Sequence, residues 1–406
     1  MVLNHCTTDN GRTLSYRTHR MRQLIPNREL YIGLMSGTSA DAIDAALVDF
    51  TDPQSPALVN LHTQPMPSDI RSALLTLADA NSHVSLADLG AIDQRIGYWF
   101  GHAANALMQS ASVNADDICA IGSHGQTLFH APEKELGFST QIGSPSRIAA
   151  ETGCTVVADF RNADIAVGGQ GAPLVPAFHA AVFGHPERTR AVLNIGGIAN
   201  LSIIPPCQHG QTPHVLGFDT GPGNALMDAW IEHHRGLRYD SGGRWASAGV
   251  IDTDLLMELL ADSYIRRAPP KSTGRDHYGL AWLRSRIDRC PIKLHPADVQ
   301  ATLCRFTAVS AGDALCAHSP QRSDVIICGG GAYNTYLRAM IADIVAPRPV
   351  SISNDLGFHV NAVEAMAFAW LARQRLNGKP GNIPSVTGAQ IAVCLGGVFL
   401  PPRMRP

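Results

Sequence analysis

Two stretches of this chain share one outline: an apolar run, a turn of small residues, and a second apolar run. The first is "ELYIGLMSGTSADAIDAALVDF" (residues 29–50) and the second is "RAVLNIGGIANLSII" (190–204). Each reads as strand, turn, strand. Their recurrence constrains the chain to two similar halves, each opening on a hairpin. A length of 406 residues agrees, being too long for one compact core.

The intervening segments are α/β in character. "SLADLGAIDQRIGYWFGHAANALMQSA" has helical periodicity and no Pro. "CTVVADF" reads as a strand and runs into the Gly/Pro-rich loop "RNADIAVGGQGAPLVPAFH". "VLGFDTGPGNALMDAWIEHH" and "DVIICGGGAYNTYLRAMIADI" each read as strand, Gly-rich turn and helix. "NAVEAMAFAWLARQRL" is a strongly apolar helix near the C-terminus.

Four small-residue turns therefore follow apolar strands: "SGTSADAID", "IGGIAN", "DTGPGN" and "CGGGAYN". Glycine lets backbone N–H groups approach a phosphate, and a helix N-terminus adds a favourable dipole. One such turn is ordinary βα packing; four together favour nucleotide binding. The chain lacks GxxxxGK[ST], the kinase HRD and DFG set, the GxSxG elbow, HExxH and the GxGxxG spacing of a dinucleotide fold. A net charge of −2 leaves no polycationic field for nucleic acid or an anionic membrane. An anionic ligand must be held locally. Nine scattered Cys without a CxxC pair read as reduced thiols in a cytoplasm. No run reaches the ~18 apolar residues that span a bilayer.

Seven motifs together carry a resemblance: "GLMSGTSADAID", "IGSHGQT", "ADFRNADIAVGGQGAPLVP", "NIGGIANLS", "GFDTGPGNALMDAW", "PPKSTGRDHYGLAWL" and "CGGGAYN". The chain resembles the anhydro-N-acetylmuramic acid kinases, bacterial enzymes of the actin/Hsp70/sugar-kinase superfamily, from about Leu30 nearly to its C-terminus. The resemblance implies a two-domain actin-like (ribonuclease H-like) α/β fold with duplicated mixed sheets and an interdomain cleft. It also implies conversion of 1,6-anhydro-N-acetylmuramic acid, with ATP, Mg²⁺ and water, to N-acetylmuramic acid 6-phosphate in peptidoglycan recycling. The family usually has Gly where this chain has Ala42 and Asn where it has Ser144.

On that resemblance, residues 1–29 are a disordered extension. Residues 30–168 form the first domain, completed by 376–406, and 169–375 form the second, with the adenosine site. A cytoplasmic location is expected, and a homodimer is left open.

The implied site follows from the chemistry. Phosphoryl transfer needs positioning and charge neutralisation. The first turn, Gly37, Thr38, Ser39, Ala40, Asp41, Ala42, Ile43 and Asp44, would meet the β/γ-phosphates, with Asp41 or Asp44 on Mg²⁺. The plainer reading makes Asp44 a cap or a surface pair. Gly196, Gly197 and Asn200 would form a second phosphate turn, and Gly329, Gly330, Gly331 and Asn334 would line the adenosine. Opening an anhydro bridge needs a carboxylate to take a proton from water, and the resemblance puts that base at Asp219. Arg161, Asp164, Gln170, His124 and Glu364 would hold the sugar. The nearest rival is an ordinary sugar kinase that consumes no water. A nucleotide-switched actin/Hsp70-like binding protein and a carboxylate hydrolase without ATP are the others.

Overall fold

The computed structural model describes residues 28–37, 40–53, 55–77, 82–133, 135–207, 214–274, 277–291 and 293–402. The N-terminal segment read as an extension lies outside the described residues except for Arg28 and Glu29, and Thr38 and Ser39 also lie outside them.

The chain builds the same sheet twice. In the first half, β1 (Leu30–Met35), β2 (Ala42–Asp49) and β3 (Ala57–Pro65) form an antiparallel meander. Helices α1 (Ser68–Leu77) and α2 (Leu86–Ala111) lead to β4 (Ile118–Ser123), which lies parallel to β1. A small hairpin, β5 (Gln126–Ala131) and β6 (Phe138–Ile142), and α3 (Pro145–Thr152) precede β7 (Val156–Ala158), parallel to β4. Helices α4 (Phe160–Ile165) and α5 (Val175–Phe183) cross to the second half. There β8 (Arg190–Ile195), β9 (Ile198–Ile204) and β10 (Leu216–Pro222) form a second meander. Helices α6 (Ala225–Arg235), α7 (Thr253–Leu260), α8 (Leu280–Ile287) and α9 (Pro296–His318) follow, then β11 (Asp324–Cys328), α10 (Thr335–Val345) and β12 (Val350–Ile352). Counted by their own strands, both sheets contain the order fifth, fourth, first, second, third, and the first sheet adds a sixth strand beside its fifth. The duplicated mixed sheets implied by the resemblance are present.

Alternation along the strands separates two environments. In β8, Leu193 and Ile195 pack beneath α6, α9 and α10, while Val192 faces the other half. In β2, Ile43, Ala45 and Leu47 pack against α2, while Ala46 and Val48 face the other half. Between the sheets lies α11 (Val363–Leu376), most of whose apolar residues are buried because both halves cover it. Gly33 of β1 and Gly122 of β4 sit side by side in register. A Cβ at either would collide with an α11 backbone carbonyl, Ala365 or Phe368. The two glycines are what let this helix lie flat on the first sheet.

Helix α11, which starts at Val363, already packs on β1, β2 and β4, ahead of the position 376 expected for the return to the first half. Short helix α12 (Pro384–Thr387) follows, and β13 (Gly397–Phe399) completes the sheet beside β7.

Candidate active site between the two sheets

The face of the second sheet that looks toward the first carries a polar row. Register pairs Asn194 of β8 with Asn200 of β9, and Asn200 with Asp219 of β10. The segment that follows α7 grips Asp219 at both ends of the residue. Thr273 donates its N–H to Asp219 Oδ2 at 3.0 Å, Asp219 donates its N–H to the Lys271 carbonyl at 3.1 Å, and Tyr264 Oη donates to the Asp219 carbonyl at 2.9 Å. Burial pushes the Asp219 carboxyl up to about 7, against the opposing pull of the Thr273 N–H, Arg161 and Lys271. A carboxylate poised near neutrality in a cleft is suited to proton transfer.

The opposite wall comes from the first half and α11. Arg161, at the start of α4, donates from Nε and Nη2 to His124 Nε2 at 3.2 and 2.9 Å, and from Nη1 to the Gly171 carbonyl at 2.7 Å. His124 therefore accepts through Nε2 and is neutral, its proton affinity held well below the usual range by burial and by Arg161. Burial draws Arg161 down to about 10, while Asp219, Glu364 and Asp164 oppose that shift. Glu364 accepts from Asn194 Nδ2 at 3.3 Å. Burial raises its proton affinity, and the charge of Asp44 adds to the effect. Asp44 is itself raised by burial and accepts from Thr63 Oγ1 at 2.7 Å. Asp219, Arg161, Glu364 and Asp44 thus form one electrostatic group across the gap between the sheets.

Several expected site residues have other duties. Asp164 is fully buried. Its oxygens accept from Gly171 N (2.8 Å), Asn382 Nδ2 (2.7 Å) and Thr387 Oγ1 (2.7 Å), so it ties the Gly-rich loop to the C-terminal segment. His124 spends Nε2 on Arg161 and is a support for that guanidinium. Gln170 donates its N–H to the Thr387 carbonyl at 2.7 Å and lines a polar recess with Glu133, Arg267 and Lys271.

The first turn is also revised. Asp41 faces away from the gap, toward α1, in an exposed pair with Arg71 at 2.9 Å. Ile43 is buried in the core on that same side. Ala42 is the first residue of β2 and pairs with Pro65, so its extended backbone suits Ala as well as Gly. The unusual backbone is at Ala40, with φ of 49°. The Gly37 carbonyl accepts from Ala40 N at 3.0 Å and Gln126 Nε2 at 3.2 Å. Ser144 accepts from Arg147 N at 3.3 Å as the N-cap of α3, a role the usual Asn would fill equally.

In the second half, the Gly196 and Gly197 carbonyls accept the N–H groups of Asn224 (2.8 Å) and Gly223 (2.9 Å), which fixes this turn to the head of α6. Gly329 takes φ of 77° and Gly330 is open, its nearest neighbour for an added Cβ being Asn224 Nδ2 at 3.9 Å. Gly331 packs on Ile195. Asn334 uses its side-chain oxygen to cap α10, accepting from Leu337 N at 3.0 Å, so that side chain is structural. Sequence reasoning missed Asn194, Lys271 and Thr273 as site residues. They lie in or beside the motifs "NIGGIAN" and "PPKSTGRDHYG".

Comparison with known proteins is consistent across the chain. The family described as anhydro-N-acetylmuramic acid kinase matches residues 29–401. Proteins named anhydro-N-acetylmuramic acid kinase resemble the chain over most of its length. That of Saccharophagus degradans is 48% identical over 379 residues, covering 92% of this chain and 99% of the relative. That of Pasteurella multocida is 45% identical over 370 residues, covering 91% and 96%. That of Xanthomonas campestris pv. campestris is 47% identical over 372 residues, covering 91% and 97%.

Proposed function

The chain belongs to the anhydro-N-acetylmuramic acid kinase family, and we propose that Asp219 is the base that activates water in the family's reaction. The enzyme phosphorylates 1,6-anhydro-N-acetylmuramic acid with ATP while water opens the 1,6-anhydro bridge. The products are N-acetylmuramic acid 6-phosphate and ADP, and the reaction serves cell-wall recycling in the cytoplasm. Among the described residues no helix is long and apolar enough to cross a membrane.

The chemistry is divided among the cleft residues. Water attacks the anomeric carbon and gives a proton to Asp219. The bond from that carbon to O6 breaks, and O6 takes the γ-phosphoryl group, so no separate acid is needed at the leaving oxygen. Arg161 stabilises the ionised carboxylates and offers its remaining N–H groups to the sugar's carboxylate. Glu364, steadied by Asn194, contacts the sugar. Gly37, Gly196, Gly197, Gly329 and Gly330 supply the backbone approach to ATP.

Mg²⁺ fits Asp44 best. Its carboxylate is half-buried, carries a raised proton affinity, has Thr63 as its hydrogen-bond partner among the described residues, and adds to the charge at Glu364. Among the described residues no cluster of three or more metal-binding side chains is assembled, which suits an ion that keeps most of its water. When bound it would neutralise phosphate charge.

The observation that carries the reading is Asp219 itself, held by the Lys271–Thr273 loop at a proton affinity near neutrality. The test is incubation with ATP, Mg²⁺ and the anhydro sugar in ¹⁸O-labelled water. The product should gain one phosphoryl group and one labelled water oxygen at the anomeric position. A product that gains phosphate alone would identify an ordinary sugar kinase.

A further inference from the structure

Asn200 was expected in a phosphate turn, but the structure puts it in β9. Ile198 and Ala199 already belong to the strand and separate it from Gly196 and Gly197. Directly opposed residues on antiparallel strands project from the same face with Cβ atoms ~4.5–5.5 Å apart. Asn200 has such a partner on each side, Asn194 and Asp219. It therefore stands beside the base and points across the cleft with it.

Its side-chain oxygen is unusual. Asn200 Oδ1 is buried and has no hydrogen-bond partner among the described residues. An unpaired buried acceptor is costly, so it is unexpected unless a ligand supplies the donor. Asn194 Oδ1 is unpaired as well. That residue is committed elsewhere, however. Its Nδ2 donates to Glu364 and its Oδ1 abuts Gly329 on the side of the nucleotide turn. Asn200 is the free acceptor next to Asp219.

The reaction needs a second acceptor at that place. A water molecule that attacks carbon must direct a lone pair at it, so both of its hydrogens must be held elsewhere. Asp219 accepts the one that is transferred. If the other is unconstrained, the water turns and the lone pair is misaligned.

We propose that Asn200 is a second catalytic residue, its side-chain oxygen holding the attacking water in line beside Asp219. One O–H bond of the water breaks and its proton passes to Asp219. The water oxygen bonds to the anomeric carbon. The electron pair of the bond to O6 leaves with O6, which takes the γ-phosphoryl group as ADP departs. The second hydrogen stays on the water oxygen, hydrogen-bonded to Asn200, and becomes that of the new anomeric hydroxyl. Asp219 then returns its proton to solvent.

This inference rests on the reading of Asp219 as the base, and the experiment separates the two. Asn200→Leu keeps the bulk and removes the acceptor. Its kcat should fall on the order of 10- to 100-fold, the scale set by misplaced reactants, with KM for ATP and for the sugar nearly unchanged. Asn200→Asp keeps an acceptor oxygen. It should recover most of kcat at alkaline pH, with the acid limb of the pH profile moved upward, because a neighbouring carboxylate raises the proton affinity of Asp219. If Asn200→Leu keeps most of its kcat, or loses activity only through KM for ATP, the proposal is overturned, and the second outcome restores the phosphate-turn role. If Asn200→Leu does not fold, by circular dichroism, Asn200→Asp decides alone: an unmoved acid limb overturns the proposal. Full activity in Asp219→Asn would sink the base assignment instead, whatever the Asn200 variants do.

Discussion

Thr273 donates its backbone N–H to the Asp219 carboxylate at 3.0 Å, and Lys271, two residues earlier, accepts the Asp219 N–H at 3.1 Å. The loop thus fixes both the backbone and the side chain of the base. Lys271 is itself buried, with Nζ donating to the Tyr264 and Ile265 carbonyls at 3.1 and 3.0 Å. A cation near the base favours its charged form, and burial opposes it. The balance sets the pH range of the enzyme.

The sign of that dependence follows directly. Asp219 works as a base only when ionised, and burial lifts its carboxyl to about 7. Activity, read as kcat/KM for the sugar, should therefore decline as pH falls through about 7, tenfold per unit below it. Asp219→Asn should remove this limb and leave a residual rate lower by ~10²–10⁴, with ATP and sugar binding retained in calorimetry. A wild-type limb near the ordinary carboxylate value would show that the burial is relieved in solution.

Asp164 should be a stability residue. Its buried carboxylate serves three donors, one from the adjacent Gly-rich loop and two from the distant C-terminal segment. Asp164→Ala leaves those donors unpaired and should cost about 3–5 kcal/mol in chemical denaturation. The folded fraction should keep near-normal KM for the sugar. A large rise in that KM without loss of stability would return Asp164 to the binding site.

The two carboxylates of the first turn should behave oppositely. Exposed ion pairs are worth about 0–1 kcal/mol, and Asp41 makes one with Arg71. Asp41→Asn should keep turnover close to wild type. Asp44→Asn should raise the Mg²⁺ concentration needed for half-maximal rate. Steady-state assays over a Mg²⁺ series measure both, and a metal requirement altered by Asp41→Asn alone would reverse the assignment.

The difference between these carboxylates shows where the sequence was legible and where it was not. The repeated strand–turn–strand outline was visible, since each hairpin is local, and so was the strongly apolar helix that carries Glu364. The start of β2 was not visible. Reading its strand from Ala45 leaves Asp41 and Asp44 together in a turn. Starting it at Ala42 extends the two-residue alternation and sends them to opposite faces. Asp164 was misread for another reason. Its partners Asn382 and Thr387 lie 218 and 223 residues away, and no local pattern encodes such a contact. The same holds for the packing of α11 on the first sheet, which depends on Gly33 and Gly122 meeting that helix. Asp219 could be found from its motif, although the turn read from Asp219 onward is strand as far as Pro222. The loop that tunes it could not.

Gly329 should couple the nucleotide turn to the sugar site. It has φ of 77°, where a side chain costs about 1–2 kcal/mol, and an added Cβ would collide with Asn194 Oδ1. Asn194 is the residue that holds Glu364, at 3.3 Å. Gly329→Ala should therefore displace Asn194 and free Glu364, raising KM for the sugar together with KM for ATP, although Gly329 itself lies on the nucleotide side. Gly330→Ala is the control. It has no positive φ in the structure, and its added Cβ would meet nothing closer than 3.9 Å, so it should leave KM for the sugar unchanged. Asn194→Ala should reproduce the sugar effect of Gly329→Ala without the backbone strain, and the two substitutions combined should cost less than the sum of their separate effects on sugar KM. Strict additivity would mean that the turn acts on the sugar by a route other than Asn194.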